Sequence, residues 1–374
     1  MNTPSDVPAA AASPCPYSPW LERFAWAMVV TTFFLLILGG TVTSKDVGLA
    51  VPDWPQTFGY NMFLYPPSLW VGGIFWEHTH RLLASLVGML AIIMAGWALL
   101  KPGISLSLRI LAVTSLQLVI VQGLMGGLRV TEISTVLGVL HGVLGQLYFC
   151  LTIIIALMTS KRWLYRHQVS RKASPTAASQ QGLSIRTLAY MVLITLVIQL
   201  SLGSVMRHYK AGLAIPDFPT AYGQLVPPLT NEGIRQAMDT NAGGSQQKLV
   251  GYFSPFKVSV HYAHRIWAIT VVLSIFAAVS ALGSRGYLQH QVLLRPTLAV
   301  IVLLLFQIIL GASVIWSGRH PEVATAHQAT GAAILGLCVF ITMMLHMFPE
   351  PQSTLKTQGS SQADAGTLAA EVRA

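Results

Sequence analysis

Eight apolar runs dominate this chain, at residues 24–44, 80–100, 106–128, 136–158, 187–207, 263–283, 296–316 and 325–347. Each is about 20 residues long, the length an α-helix needs to cross the hydrocarbon of a bilayer. Most carry no Asp, Glu, Lys or Arg in their middle third. A lipid interior offers no partner to a bare backbone amide, so such runs cross it as helices. Charged residues are only 10% of the 374, whereas a soluble domain normally carries about 25%. The expected fold is an all-α integral membrane protein with eight transmembrane helices.

The net charge of +10 could point to nucleic acid, but its distribution points to a membrane instead. Lys161, Arg162, Arg166, Arg171, Lys172 and Arg186 all fall between the fourth and fifth runs. The segments on that side carry more Lys and Arg than those opposite, and the positive-inside rule then places both termini in the cytoplasm. Residues 1–20 hold no Lys or Arg and no apolar core, unlike a secretory signal or an Arg-rich presequence. The expectation is a short polar tail on a multi-pass protein of a bacterial inner membrane, in contact with lipid and not with nucleic acid. Cys15, Cys150 and Cys338 are far apart, with no CxxC pair to support a disulfide or thiolate metal site.

The chain repeats itself. "GLAVPDWPQTFG", from Gly48 to Gly59, returns as "GLAIPDFPTAYG", from Gly212 to Gly223, and each copy is followed by a His-Arg pair, His80-Arg81 and His264-Arg265. Further on, Gln122 and Gly126 match Gln307 and Gly311, and "LHGVLGQ" around His141 matches "AHQATGA" around His327. One insertion in the second copy, placed at Asn231 to Gln247, accounts for the changing offset. Copies separated by an even number of spans share one orientation, unlike the inverted repeats of many transporters. The expected organisation is two parallel-repeat four-helix bundles: a tail at 1–23, a first half at 24–158, a basic linker at 159–186, a second half at 187–347 and a polar tail at 348–374.

His80, His141, His264 and His327 each fall near the start of an even-numbered run, at similar depth. Ionisable residues inside a membrane are costly and usually face the bundle interior. One turn on, each has a small neighbour: Ala84, Gly145, Ala268 and Gly331. A wide flat ligand needs backbone to approach beside the coordinating ring, and imidazoles on facing helices of a bundle make a bis-histidine heme site. A lone histidine would be read as a packing or hydrogen-bonding residue; four, paired by a repeat, favour heme. Zinc or copper is weaker, since only Glu77, His78 and His261 offer further ligands nearby.

Glu77 sits one turn before His80, where the second half has His261. A carboxylate at one site and an imidazole at the other suggests different work, with Glu77 a proton donor or acceptor; a structural pair with Arg81 stays open. Arg81 and Arg265 suit heme propionates or snorkel to the interface. Gln122, Gln199 and Gln307, each four residues before a glycine, read as helix-to-helix links. The Pro-Asp-aromatic-Pro loops cannot lie inside a regular helix and are expected to fold as outer lids.

Taken together, these motifs resemble heme A synthase over nearly all of the chain from Trp20 to Met347. The resemblance implies conversion of heme O to heme A for cytochrome oxidase: two successive hydroxylations of the C8 methyl group, through heme I, then loss of water to leave a formyl group. It implies a heme b cofactor in the second half, with axial ligands His264 and His327. It assigns the substrate heme iron to His80 and His141, and catalysis to Glu77. Electrons would pass through heme b from a ferredoxin-type or other donor, and heme O synthase would be a partner. Some relatives carry cysteine pairs in the outer loops; this chain has none there. The sequence also leaves open a homo-oligomer, a non-enzymatic diheme electron carrier and, less readily, a transporter.

Overall fold

The computed structural model describes residues 17–165, 183–241 and 254–348. The tails at 1–16 and 349–374, most of the basic linker and the end of the proposed insertion lie outside the described residues, as does Cys15. The described residues form helices and loops, with two isolated bridges and no strand.

Eight helices are long and apolar enough to cross a membrane. They are α1 (Pro19–Ser44), α2 (Gly72–Leu100), α3 (Leu106–Thr131), α4 (Thr135–Thr159), α5 (Ile185–His208), α6 (Pro255–Ser284), α7 (Gln291–Trp316) and α8 (Pro321–Leu345). Their starts follow local chemistry. Ser105, Ser134, Ser184 and Ser254 cap α3, α4, α5 and α6 by accepting a first-turn N–H. Pro19, Pro255 and Pro321 open α1, α6 and α8, where a missing N–H costs nothing.

α2 and α6 begin eight residues before the apolar runs at 80 and 263. Hydropathy misses these turns because they hold Glu77, His78 and His261. His80 and His264 consequently lie in the third turn of their helices rather than near the start.

In the first half α1, α2, α3 and α4 pack in succession and α4 closes onto α1; in the second, α5 packs on α6, α7 on α8 and α8 on α5. α2 runs along α3, whereas α6 and α7 make at most glancing contact. The halves are not separate bundles: α1, α4, α5 and α8 form a shared centre. There Gly336 of α8 lets Phe149 and Ile153 of α4 come so close that a Cβ would meet each at 2.9 Å, the small-residue contact that lets helices associate in lipid. Outer helices show the opposite character. Val302, Leu305, Phe306 and Ile309 of α7 are exposed apolar residues, as a lipid-facing surface requires.

The long loops 45–71 and 209–230 lie at one end of the bundle, and polar contacts join the halves there. Asp46 accepts from Arg319 at 2.6 Å, with Lys210 3.6 Å away, and Lys45 pairs with Glu322 at 2.7 Å. Beneath them Arg207 of α5 donates to Gly40 O (3.0 Å) and Gln328 Oε1 (3.1 Å), and also to Ser44 Oγ.

Candidate functional site

The two loops share one fold. In the first, Asp53 Oδ1 and Oδ2 accept from Phe58 N and Gly59 N at 2.8 Å each; in the second, Asp217 accepts from Tyr222 N at 2.6 Å and Gly223 N at 2.8 Å. Phe58 and Gly59, like Tyr222 and Gly223, have positive φ, the pair of left-handed residues that makes a tight type I′ turn. Both loops contain a cis proline, Pro55 and Pro219. Burial alone would raise the Asp53 carboxyl, but N–H donors from Gly59 and Phe58 and the charge of Arg81 outweigh it and hold it below the usual range. For Asp217, Gly223 N–H, the Thr220 hydroxyl and Tyr222 N–H outweigh burial in the same way.

Each loop is tied to its helix by matching bonds. Arg81 Nη1 donates to Asp53 O (2.6 Å) and Gln56 O (3.1 Å), and Nη2 to Val51 O (2.7 Å) and Glu77 Oε1 (2.8 Å). Arg265 donates to Thr220 O (2.9 Å), Ile215 O (3.2 Å) and His261 Nε2 (3.2 Å). Val51 N donates to Glu77 Oε2 at 2.9 Å, and Ile215 N to His261 Nδ1 at 3.2 Å. Sequence reasoning offered the two arginines to propionates; here their forks hold loop carbonyls, and Glu77, 3% exposed, has both oxygens engaged.

Beneath the loops, each of the four histidines lies against a glycine on the preceding long helix. A Cβ on Gly39, Gly126, Gly203 or Gly311 would stand 2.9, 3.1, 3.3 or 3.1 Å from Cε1 of His80, His141, His264 or His327. Nδ1 of every ring is shut off from solvent without a hydrogen-bond partner, yet each residue keeps some accessible surface. With Cε1 on glycine and Nδ1 buried, the remaining edge is the Nε2 side, which in His264 meets the Gln199 amide. The ring centroids of His264 and His327 lie 6.4 Å apart, with the ring planes at 66°. Two imidazoles bound across one metal at roughly 2.0–2.1 Å hold their centres about 6 Å apart, so the spacing of this pair suits a metal held between them.

Of the small residues one turn beyond the histidines, Gly145 would bring a Cβ to 3.4 Å from Leu36 Cδ2 and 3.5 Å from Gln122 Nε2, and Gly331 to 3.2 Å from both Leu200 Cδ2 and Gln307 Nε2. Gln122 donates to His141 O at 3.2 Å and Gln199 to His264 O at 3.1 Å, so these glutamines do link helices. Gln199 also reaches His264 Nε2 at 3.3 Å. The position matching Gln199 in the first half is Leu35, so His80 has no glutamine strap. The ring-backing glycines were visible only as the far end of a Gln-x-x-x-Gly pattern, and Gly39 carried no signal at all.

The loops differ in how they are closed. Over the second half, the helix Asn231–Asn241 buries Ile234 and Met238 against Ala211, Ile215, Tyr222 and Val258. Tyr222 OH donates to Ala214 O at 2.5 Å, and burial with the nearby Asp217 charge pushes that hydroxyl up to about 12. Over the first half no such helix exists among the described residues. Phe58, matching Tyr222, is exposed, as are Phe63, Leu64 and Val71. Trp54 instead lies flat on Gly127, beside the glycine that backs His141. His78 is buried under this loop, 3.3 Å from Thr57 Oγ1 and packed by Tyr65 and Trp70.

Comparison with known proteins adds a family to this geometry. The family described as cytochrome oxidase assembly protein matches residues 71–339. A heme A synthase of Halalkalibacterium halodurans is 24% identical over 335 residues, covering 87% of this chain and 97% of that protein. One of Rhizorhabdus wittichii is 24% identical over 363 residues, covering 87% and 94%. One of Shouchella clausii is 31% identical over 216 residues, covering 57% and 68%.

Proposed function

The chain belongs to the cytochrome oxidase assembly family and, within it, to the heme A synthases; from that premise we propose that it converts heme O to heme A with the first half as reaction site and the second as cofactor site. The observation that carries the assignment is the unequal closure of two otherwise matching loops. A resident group calls for a sealed site, and the second half has the Ile234 and Met238 seal, the Tyr222 bond and the Gln199 strap. A substrate must enter and leave, and the first half lacks all three.

His264 and His327 are the ligands for heme b, which supplies one-electron redox capacity when bound. His80 and His141 would hold the substrate heme, and the glycine behind each ring limits how far its imidazole can swing. The proposed reaction oxidises the C8 methyl twice, through heme I, and loses water to leave the formyl group. Glu77 is placed to hold or move a proton there: its carboxylate is desolvated, lies one helical turn from His80 and is paired with Arg81. The loop, with Trp54 seated on Gly127, keeps water from the ring edge. Both termini lie in the cytoplasm, heme O synthase supplies the substrate, and a ferredoxin-type or other donor supplies electrons.

Absorbance spectra of purified variants test the assignment of halves. His264→Ala and His327→Ala lose the resident heme b spectrum, while His80→Ala and His141→Ala keep it and fail to retain added heme O. The reverse pattern would overturn the assignment.

A further inference from the structure

Arginines deep in this protein nearly all have their charge met. Arg81 and Arg265 bind loop carbonyls, Arg207 binds Gly40 O and Gln328, and Arg319 pairs with Asp46. Arg129, in the last turn of α3, is different. Its guanidinium has no hydrogen bond or ion pair among the described residues, although Glu77, His80 and His141 are within electrostatic reach. Glu77 does not meet its charge at contact distance, since Arg81 and Val51 N hold both carboxylate oxygens.

Two glycines lie against the Arg129 side chain. A Cβ on Gly48 would stand 2.7 Å from its Nη2, and one on Gly138 would stand 3.3 Å from its Nε. The same Cβ on Gly138 would be 2.7 Å from Nδ1 of His208, at the end of α5 in the other half. His208 likewise has no hydrogen-bond partner among the described residues. Two donor groups therefore converge on one glycine, one turn of α4 before His141. A partly buried guanidinium with no counter-charge in contact favours an anion beside it.

The repeat shows that this feature belongs to one half only. Val314 stands where Arg129 has its counterpart, and Ser44 where His208 has its own. A second pair of matched sites for identical ligands would not need the difference.

We propose that Arg129 and His208 form a carboxylate subsite that takes a propionate of the heme held by His80 and His141. The inference rests on the reading of the first half as the substrate site. Arg129 supplies a planar fork suited to a carboxylate, and His208 supplies a ring N–H donor from the opposite half. The substrate is thereby oriented with its acid edge toward the loops, and its binding draws on both halves.

Two probes separate this inference from the reading beneath it: heme O, and heme O with both propionates methylated. Purified protein with heme b in place is titrated with each, and the resident heme b spectrum reports that every variant is folded. Wild type binds the free acid about tenfold more tightly than the diester, as expected for one charge-assisted contact. Arg129→Gln and His208→Phe lose that preference, and Arg129→Lys keeps part of it. Wild-type preference in a folded Arg129→Gln or His208→Phe variant would overturn the subsite while leaving the first-half assignment intact. Failure of wild type to bind heme O in the first half would overturn both.

Discussion

Val51 N donates to Glu77 Oε2 over 2.9 Å, and the same bond recurs in the second half from Ile215 N to His261 Nδ1 over 3.2 Å. A carboxylate and an imidazole thus do one structural task, tying a loop to the helix that carries a histidine. The exchange separates the structural work of Glu77 from its proposed chemistry. Glu77→His keeps the loop closed, as His261 does, and abolishes conversion of heme O. Protease sensitivity of the loop checks the first half of this prediction, and extracted heme checks the second. Full conversion in Glu77→His would remove the carboxylate from the mechanism.

The glycine behind each ring gives a sharper prediction. Gly311→Val places methyl groups where His327 Cε1 is already 3.1 Å from a Cβ, so the ring swings away and bound heme b falls by at least about tenfold, the effect of roughly 1.4 kcal/mol. Gly123→Ala, on the exposed side of α3 with nothing within 4 Å, leaves heme content unchanged. Heme-to-protein ratio from the pyridine complex measures both.

Tyr222 and Phe58 occupy matching places, and only the tyrosine has a hydroxyl to bind Ala214 O. Tyr222→Phe removes one buried hydrogen bond, worth about 1 kcal/mol, and speeds heme b transfer to an acceptor such as apomyoglobin by roughly fivefold. An unchanged transfer rate would mean that the loop does not retain the cofactor.

The loop carboxylates set an acid limit. Asp53 and Asp217 are held below the unfolded value of about 3.9, so their contribution is complete above that value and disappears as pH falls through the lower folded ones. Loop opening, followed by Trp54 fluorescence, is expected only below about pH 4. Asp53→Asn weakens the loop at neutral pH and flattens the acid transition. A transition in wild type above pH 5 would assign it to another group.

Much of this was legible in the sequence because membrane crossing and duplication leave long-range marks. Eight apolar runs gave eight helices, since lipid permits few alternatives. The four histidines stood out because imidazole inside an apolar run needs a reason. What escaped was local and relational. The outer turns of α2 and α6 carry polar residues that face the loops, so hydropathy cut them off. Arg81 and Arg265 were offered to a ligand because nothing in one dimension shows that Val51 O and Ile215 O are within reach. Gly39 was an ordinary glycine, and Gly138 only a small residue three before His141, until the structure set His80 on the first and His208 with Arg129 on the second.

The central claim is chemical conversion of heme O, and heme extraction tests it most directly. Membranes of a host that makes heme O but no heme A are prepared with and without this protein, and their hemes are separated by chromatography. The account predicts that heme I and heme A appear only where the protein is present and that His80→Ala abolishes both. Unchanged heme O beside folded wild-type protein carrying heme b, with a reductant supplied, would contradict it and leave an electron carrier in its place.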